Sequence, residues 1–359
     1  MTHLVIGGGI MGLLTAYYLN EANEKVIILE QGKLGRESSW AGGGILSPLY
    51  PWRYPKALND LAAWSQQTYP ALVEQLKEQS GIDAELYRCG FLILDQDEIE
   101  EAVRWSQQLN IPLEIISPPE IQQHVPSLSK QQTPKQAIWM PEIAQVRNPR
   151  LLKALIATLK KRGVEIREHT PVTDFLVTDQ QIAGVVSGKH QISGDTVTVA
   201  CGAWSHQVLQ SYLPNLNVEP VRGQMILFKA IPDLLPTMLM RESRYLIPRL
   251  DGRIIVGSTL EHVGFDKSTT DTAKQQLTQS AIDLIPELKN FPIEHHWSGL
   301  RPGNSLQTPF ISQHPSIRGL FINTGHFRNG VVTGPASARL CVDQILNITP
   351  TLDPHPFNL

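Results

Sequence analysis

The chain predicts an α/β fold built on a parallel sheet, with a second, α+β domain attached to it. Three observations carry this reading. An apolar run, Leu4-Val5-Ile6, leads directly into Gly7-Gly8-Gly9-Ile10-Met11-Gly12, with glycine at the first, third and sixth places of the turn. A helical apolar pattern follows at Leu13, Leu14, Ala16, Tyr17 and Leu19, and then a second apolar run, Val26-Ile27-Ile28-Leu29, ends in Glu30. Near the other end, Leu320 to Asn323 read as a strand, Thr324 to Asn329 as a loop, and about 330–346 as a helix. The order strand, glycine turn, helix therefore recurs, and the two ends of the chain would close one discontinuous sheet.

Each part of the first unit has a physical reason. Gly7 permits the tight turn, Gly9 lets a pyrophosphate approach the backbone, and Gly12 lets helix and strand pack closely. The start of the helix offers free N–H groups and the positive end of its dipole to phosphate. Glu30, 18 residues after Gly12, stands where a ribose-binding acid is needed. Together these features predict a Rossmann-like dinucleotide site.

Further along, about 57–80 read as a long helix stopped by Gly81, 90–94 as a short strand, and 97–109 as a surface helix rich in Glu and Gln. The stretch 112–141 holds six prolines and reads as short pieces and loops. Asn148-Pro149 reads as a helix start, with Asn capping and Pro in the first turn, and Gly163 as its stop. Strand-like runs follow at 164–167, 171–178, 182–187 and 195–200, the last leading into Gly202-Ala203-Trp204-Ser205. Val221 to Ala230, Tyr245 to Pro248 and Arg253 to Gly257 also read as strands, and 271–285 as a helix.

Composition narrows the function classes. At 359 residues the chain is too long for one ordinary core, and 42% hydrophobic residues suit a globular protein of two domains. A net charge of −3 without any Lys/Arg block points to neither nucleic acid nor a membrane surface. Cys89, Cys201 and Cys341 are scattered without a C-x-x-C pair, so neither zinc nor a disulfide framework is expected, and a reducing compartment fits. His295 and His296 are adjacent in a strand-like run and face opposite ways, so no metal site is expected there either. No stretch reaches the roughly 20 apolar residues of a membrane span. No signal peptide is read before the first strand, and a cytoplasmic location is the expectation.

The glycine turn alone does not separate NAD from FAD. Small and hydroxyl residues in Ser38-Ser39-Trp40-Ala41-Gly42-Gly43-Gly44-Ile45 suit a backbone lying against a flat ring. With Gly7–Gly12, Glu30, Gly202–Ser205, Trp297-Ser298-Gly299-Leu300-Arg301-Pro302-Gly303 and Gly325-His326-Phe327-Arg328-Asn329-Gly330, the chain resembles the FAD-dependent D-amino-acid oxidase superfamily, and within it the glycine oxidases of thiamine biosynthesis. The likeness covers nearly the whole length. It departs from the family at Gly42-Gly43-Gly44, where Ala-Ala-Gly is usual, which loosens the turn but keeps it small.

The resemblance implies a glutathione-reductase-type FAD domain from 1–83, 142–217 and 297–359, roofed by a smaller antiparallel-sheet substrate domain from 84–141 and 218–296. It implies noncovalent FAD held at Gly7, Gly9, Ile10, Met11, Gly12, Glu30, Gln31, Ser38, Ser39, Gly43, Gly44, Ile45, Gly202 and Trp204, with Val172 on the adenine side. His326, Phe327, Arg328, Asn329, Gly330, Val331 and Val332 would surround the flavin. The helix beginning at Gly330 would aim N–H groups at the flavin C2 oxygen.

Arg301 is the expected clamp for a substrate carboxylate, because its planar fork can bind both oxygens. Tyr245 would donate to the same carboxylate and limit substrate size; a core tyrosine is the alternative. Arg328 would steady the site or the flavin, or simply open the helix; Leu260 stands at the position of an apolar pocket wall and reads as a packing residue in either case. The implied reaction is hydride transfer from a small amino acid to flavin N5, with oxygen giving imine or glyoxylate, ammonia and peroxide, and the imine serving the thiamine thiazole ring. Sarcosine or D-amino-acid oxidation, a dehydrogenase using another acceptor, and a flavin-binding protein without catalysis are the alternatives. The likeness also implies a homotetramer.

Overall fold

The computed structural model describes all residues, Met1–Leu359. Six strands form the first sheet, in the order Phe310–Gln313, Leu320–Thr324, Thr196–Val199, Thr2–Ile6, Lys25–Leu29, Glu165–Arg167. All neighbours are parallel except the first pair. Parallel strands are buried on both faces and read as unbroken apolar runs, which is why Leu4 to Ile6 and Val26 to Leu29 were legible as strands; all seven are buried.

The helix Ile10–Glu21 is buried from Ile10 through Leu19. A helix that is apolar all round belongs inside. Here it lies against the helix Gly330–Ile345, and the long helix Lys56–Ser80 packs on that second helix in turn. Gly81, at φ +77°, ends the long helix with a left-handed cap that costs glycine no Cβ strain.

The second sheet has eight strands, in the order Ile293–Gly303, Glu219–Phe228, Ile254–Gly257, Arg244–Pro248, Met238–Arg241, Phe91–Ile93, Ala137–Met140, Glu114–Ile116. It is antiparallel except between Met238–Arg241 and Phe91–Ile93, which run parallel. Its last two strands come from the proline-rich stretch, and the strand Ile293–Gly303 continues past residue 296 to deliver Arg301. A small antiparallel sheet, Asp174–Thr178, Gln181–Ser187 and His190–Ser193, flanks the first.

Several expectations change. The strands Met238–Arg241, His190–Ser193 and Phe310–Gln313 lie outside the expected elements; each is only four residues long, and the last two carry a hydroxyl and an amide in their runs. Asn148 does not cap its helix. The helix already includes it, Arg147 holds the cap position, and the Asn148 amide donates instead to the carbonyls of Ser39 (2.9 Å) and Gly42 (3.0 Å).

Candidate active site

Between the two sheets lies a cavity enclosing about 1670 Å³ of space, counted to its open mouth. One wall is the glycine turn. Gly7 has φ +106°, and a Cβ there would stand 2.4 Å from the Ala200 carbonyl oxygen. At Gly12 a Cβ would meet the Gly7 carbonyl oxygen at 1.9 Å, so only glycine lets helix and strand come together. Gly9 is different: the nearest atom to a Cβ there is Ser39 Oγ at 3.2 Å. That Oγ accepts the Ile10 N–H at 3.0 Å, and the first turn of the helix carries no acid to neutralise its dipole. Glu30 accepts from the Gly8 N–H (2.7 Å) and the Gly32 N–H (2.8 Å), one on each oxygen, and its remaining lone pairs are free for other donors.

A second helix start faces the same space. Gly330 opens its helix beside the first, with a Cβ position only 3.7 Å from Met11 Cε, and again no acid stands in the first turn. Next to it, His326 is 4% exposed and its Nε2 has no partner. Burial pulls the His326 imidazole down to about 3, so it is neutral. The opposite wall is the loop 42–45. Arg249, buried beneath it, donates to the carbonyls of Gly43 (2.7 Å) and Val146 (3.1 Å). Gly44, at φ +81°, leaves no room for a Cβ against the Val146 carbonyl.

The far end of the cavity is cationic. Arg301 donates through Nη2 to Ser258 Oγ (2.7 Å) and through Nη1 to the Thr259 carbonyl (3.2 Å), both neutral oxygens. Arg244 donates to the Ser258 carbonyl. Arg328 keeps a buried Nε without a partner. Burial, and less strongly the Arg328 charge, pulls the Arg301 guanidinium below its ordinary value, with Tyr245 opposing. Tyr245 is 7% exposed; its hydroxyl lies close to the Arg301 guanidinium and approaches Met225 Sδ at 3.9 Å. Arg301 and Arg328 thus line this end with no carboxylate paired to either, an arrangement that binds an anion; Arg244 lies outside the lining, on the Ser258 carbonyl.

The expected site residues come together with three exceptions. Gly7, Gly9, Ile10, Met11, Glu30, Gln31, Ser38, Ser39, Gly43, Gly44, Ile45, Val172, Gly202, Trp204, Tyr245, Arg301 and His326 through Val331 all line this one cavity. Gly12 acts from behind the wall through packing, and Val332 is buried in its helix away from the lining. Leu260 is not a pocket wall: it is 44% exposed, in a loop outside the cavity. Sequence reasoning missed Gly223, Ser258, Asn323 and Thr324 in the lining. Gly223 carried a signal, since glycine inside a strand marks a close approach; the others carried none. No group of three His, Cys, Asp or Glu side chains is placed to hold a metal ion.

A family model described as FAD-dependent oxidoreductase (DAO) matches residues 3–344. The chain belongs to this family. Within it, a protein named glycine oxidase from Pseudomonas aeruginosa is 45% identical over 99% of this chain and 97% of its own length. The crystal structure of glycine oxidase from Geobacillus kaustophilus is 27% identical, with a TM-score of 0.94 over 99% of this chain and 97% of that one. A bifunctional ThiO/ThiG protein of Trichormus variabilis is 31% identical over 96% of this chain, which spans 52% of that protein. This DAO-family chain is therefore an oxidoreductase that uses FAD. Its residues fit the cofactor: an acid-free helix start beside Gly9 for the pyrophosphate, Glu30 for ribose hydroxyls, and the orphaned, buried His326 Nε2 where a partner is wanted.

Proposed function

We propose that this flavoenzyme oxidises glycine, and small amines such as sarcosine or D-alanine, to the imine, with oxygen reduced to peroxide; water then converts the glycine imine to glyoxylate and ammonia. The observation that carries the reading is the unpaired Arg301 fork beside the Tyr245 hydroxyl, at the cationic end of the FAD cavity. Arg301 binds the substrate carboxylate and Tyr245 donates a hydrogen bond to it. Buried Tyr245, Met225 and Leu49 leave a short amino acid as the best fit. Arg328 adds positive charge at the same end. Bound FAD supplies the acceptor for the α-hydrogen as hydride. The Gly330 helix start favours negative charge near it. No side chain here is needed as a strong base for a neutral amine.

FAD would be held noncovalently by the glycine turn, Glu30, Ser38, Ser39, the 42–45 loop and residues 326–331. The thiamine-thiazole role is part of the same proposal, supported by the likeness to ThiO/ThiG. So is the division into an FAD domain and a substrate domain. One apolar cluster draws on residues 5–84, 146–200 and 311–357, and another on 92–139 and 226–288. No helix is long and apolar enough to cross a membrane; a cytoplasmic homotetramer is proposed, and light scattering measures the assembly.

The test is peroxide release from purified protein with glycine, sarcosine, D-alanine and D-proline in parallel. Glycine should lead in kcat/KM. Bleaching of the flavin without peroxide would make the protein a dehydrogenase, a bulky D-amino acid in the lead would overturn the glycine reading, and colour that survives every substrate would overturn catalysis.

A further inference from the structure

We infer that Gly223 is a positioning residue for the Arg301 fork; this rests on Arg301 being the carboxylate clamp. Gly223 sits inside the strand Glu219–Phe228, and its cross-strand partner is Gly299. Arg301 pairs with Val221 on the same ladder, so it is the diagonal neighbour of Gly223 on one face of the sheet. A Cβ at 223 would stand 2.1 Å from both Nη atoms and 2.3 Å from Cζ of Arg301. Those three atoms are the nearest ones, and the Gly223 backbone lies outside the left-handed region. The guanidinium is therefore the reason a side chain is excluded here.

The fork is held from its other edge by Ser258 Oγ and the Thr259 carbonyl. Thr259 cannot easily retreat. Its hydroxyl accepts the Gln224 N–H at 2.8 Å and donates to Glu261, which also takes the Arg222 guanidinium. The bare Cα of Gly223 thus forms one jaw of a slot, and Ser258 Oγ with the Thr259 carbonyl forms the other. A methyl group on the first jaw pushes out the free end of a flexible side chain, which leaves the backbone in place and spoils the clamp.

The experiment uses FAD-loaded wild type, Gly223→Ala, Arg301→Lys and the double variant. Acetate, a carboxylate without an amine, is titrated by its effect on the flavin spectrum; glycine KM and kcat, FAD content and thermal midpoint are measured alongside. Gly223→Ala should keep FAD and its midpoint, raise the acetate Kd and glycine KM roughly tenfold or more, and change KM more than kcat. In the Arg301→Lys background, where the two Nη arms are gone, the same Ala should add less than about twofold. An acetate Kd that moves with Arg301→Lys but not with Gly223→Ala overturns the positioning role, as does an undiminished effect in the Lys background. Loss of fold or FAD in Gly223→Ala also overturns it, because the backbone rather than the fork would then be yielding. If Arg301→Lys leaves acetate binding unchanged, the clamp itself is wrong.

Discussion

Acid should destabilise the FAD-free chain through His326, and the size of the effect follows from its burial. The imidazole is held down to about 3 from an ordinary 6.5, with desolvation as the cause. An unfolded chain takes up that proton near pH 6.5 while the folded chain refuses it, so folding stability is full above that pH and falls as the pH drops. At pH 5 the unfolded side chain is about 1.5 units below its pKa, which at 1.36 kcal/mol per unit amounts to about 2 kcal/mol. His326→Gln keeps a polar side chain and removes the titration. Urea unfolding of both proteins at pH 7 and pH 5 isolates the residue, since the other groups, buried His3 among them, titrate in both. Wild type should lose about 2 kcal/mol more than the variant across that interval. A parallel loss in the two proteins would refute the argument that the buried imidazole stays neutral.

The remaining predictions concern the cofactor wall and the substrate end. Gly12→Ala, which in an ordinary helix would gain about 0.5–1 kcal/mol, should instead abolish FAD retention, because its methyl meets the Gly7 carbonyl at 1.9 Å; the ratio of flavin to protein absorbance after gel filtration measures it. Tyr245→Phe should raise the glycine KM severalfold, corresponding to about 0.5–1.5 kcal/mol for one hydrogen bond, and an unchanged KM would leave Tyr245 a packing residue. Asn148→Ala should weaken FAD binding while helix content by circular dichroism stays constant, because the amide supports the Ser39 and Gly42 carbonyls; the reverse pattern would restore it as a helix cap.

The first unit was readable because its signals are local. A run such as Val26 to Leu29 is apolar at every position because a parallel strand is buried on both faces, and the spacing of Gly7, Gly9 and Gly12 records contacts made within a few residues. Asn148 failed as a cap for the complementary reason. Its short-range motif was present, but a tertiary contact with residues 39 and 42 had a stronger use for the amide. Leu260 failed likewise, since likeness places a residue on a loop but does not say which side of the loop faces the cavity.

By itself, then, the sequence determined the nucleotide turn, its acid, the discontinuous sheet and the family motifs that carry FAD, because each is signalled by a short local run of residues. Only the tertiary structure decided what surrounds the Arg301 fork. Gly223, Ser258, Thr259 and Arg301 come from three separate strands and loops. Cross-strand register brings them within hydrogen-bond reach, and register is a property of the folded sheet that no local pattern of residues encodes.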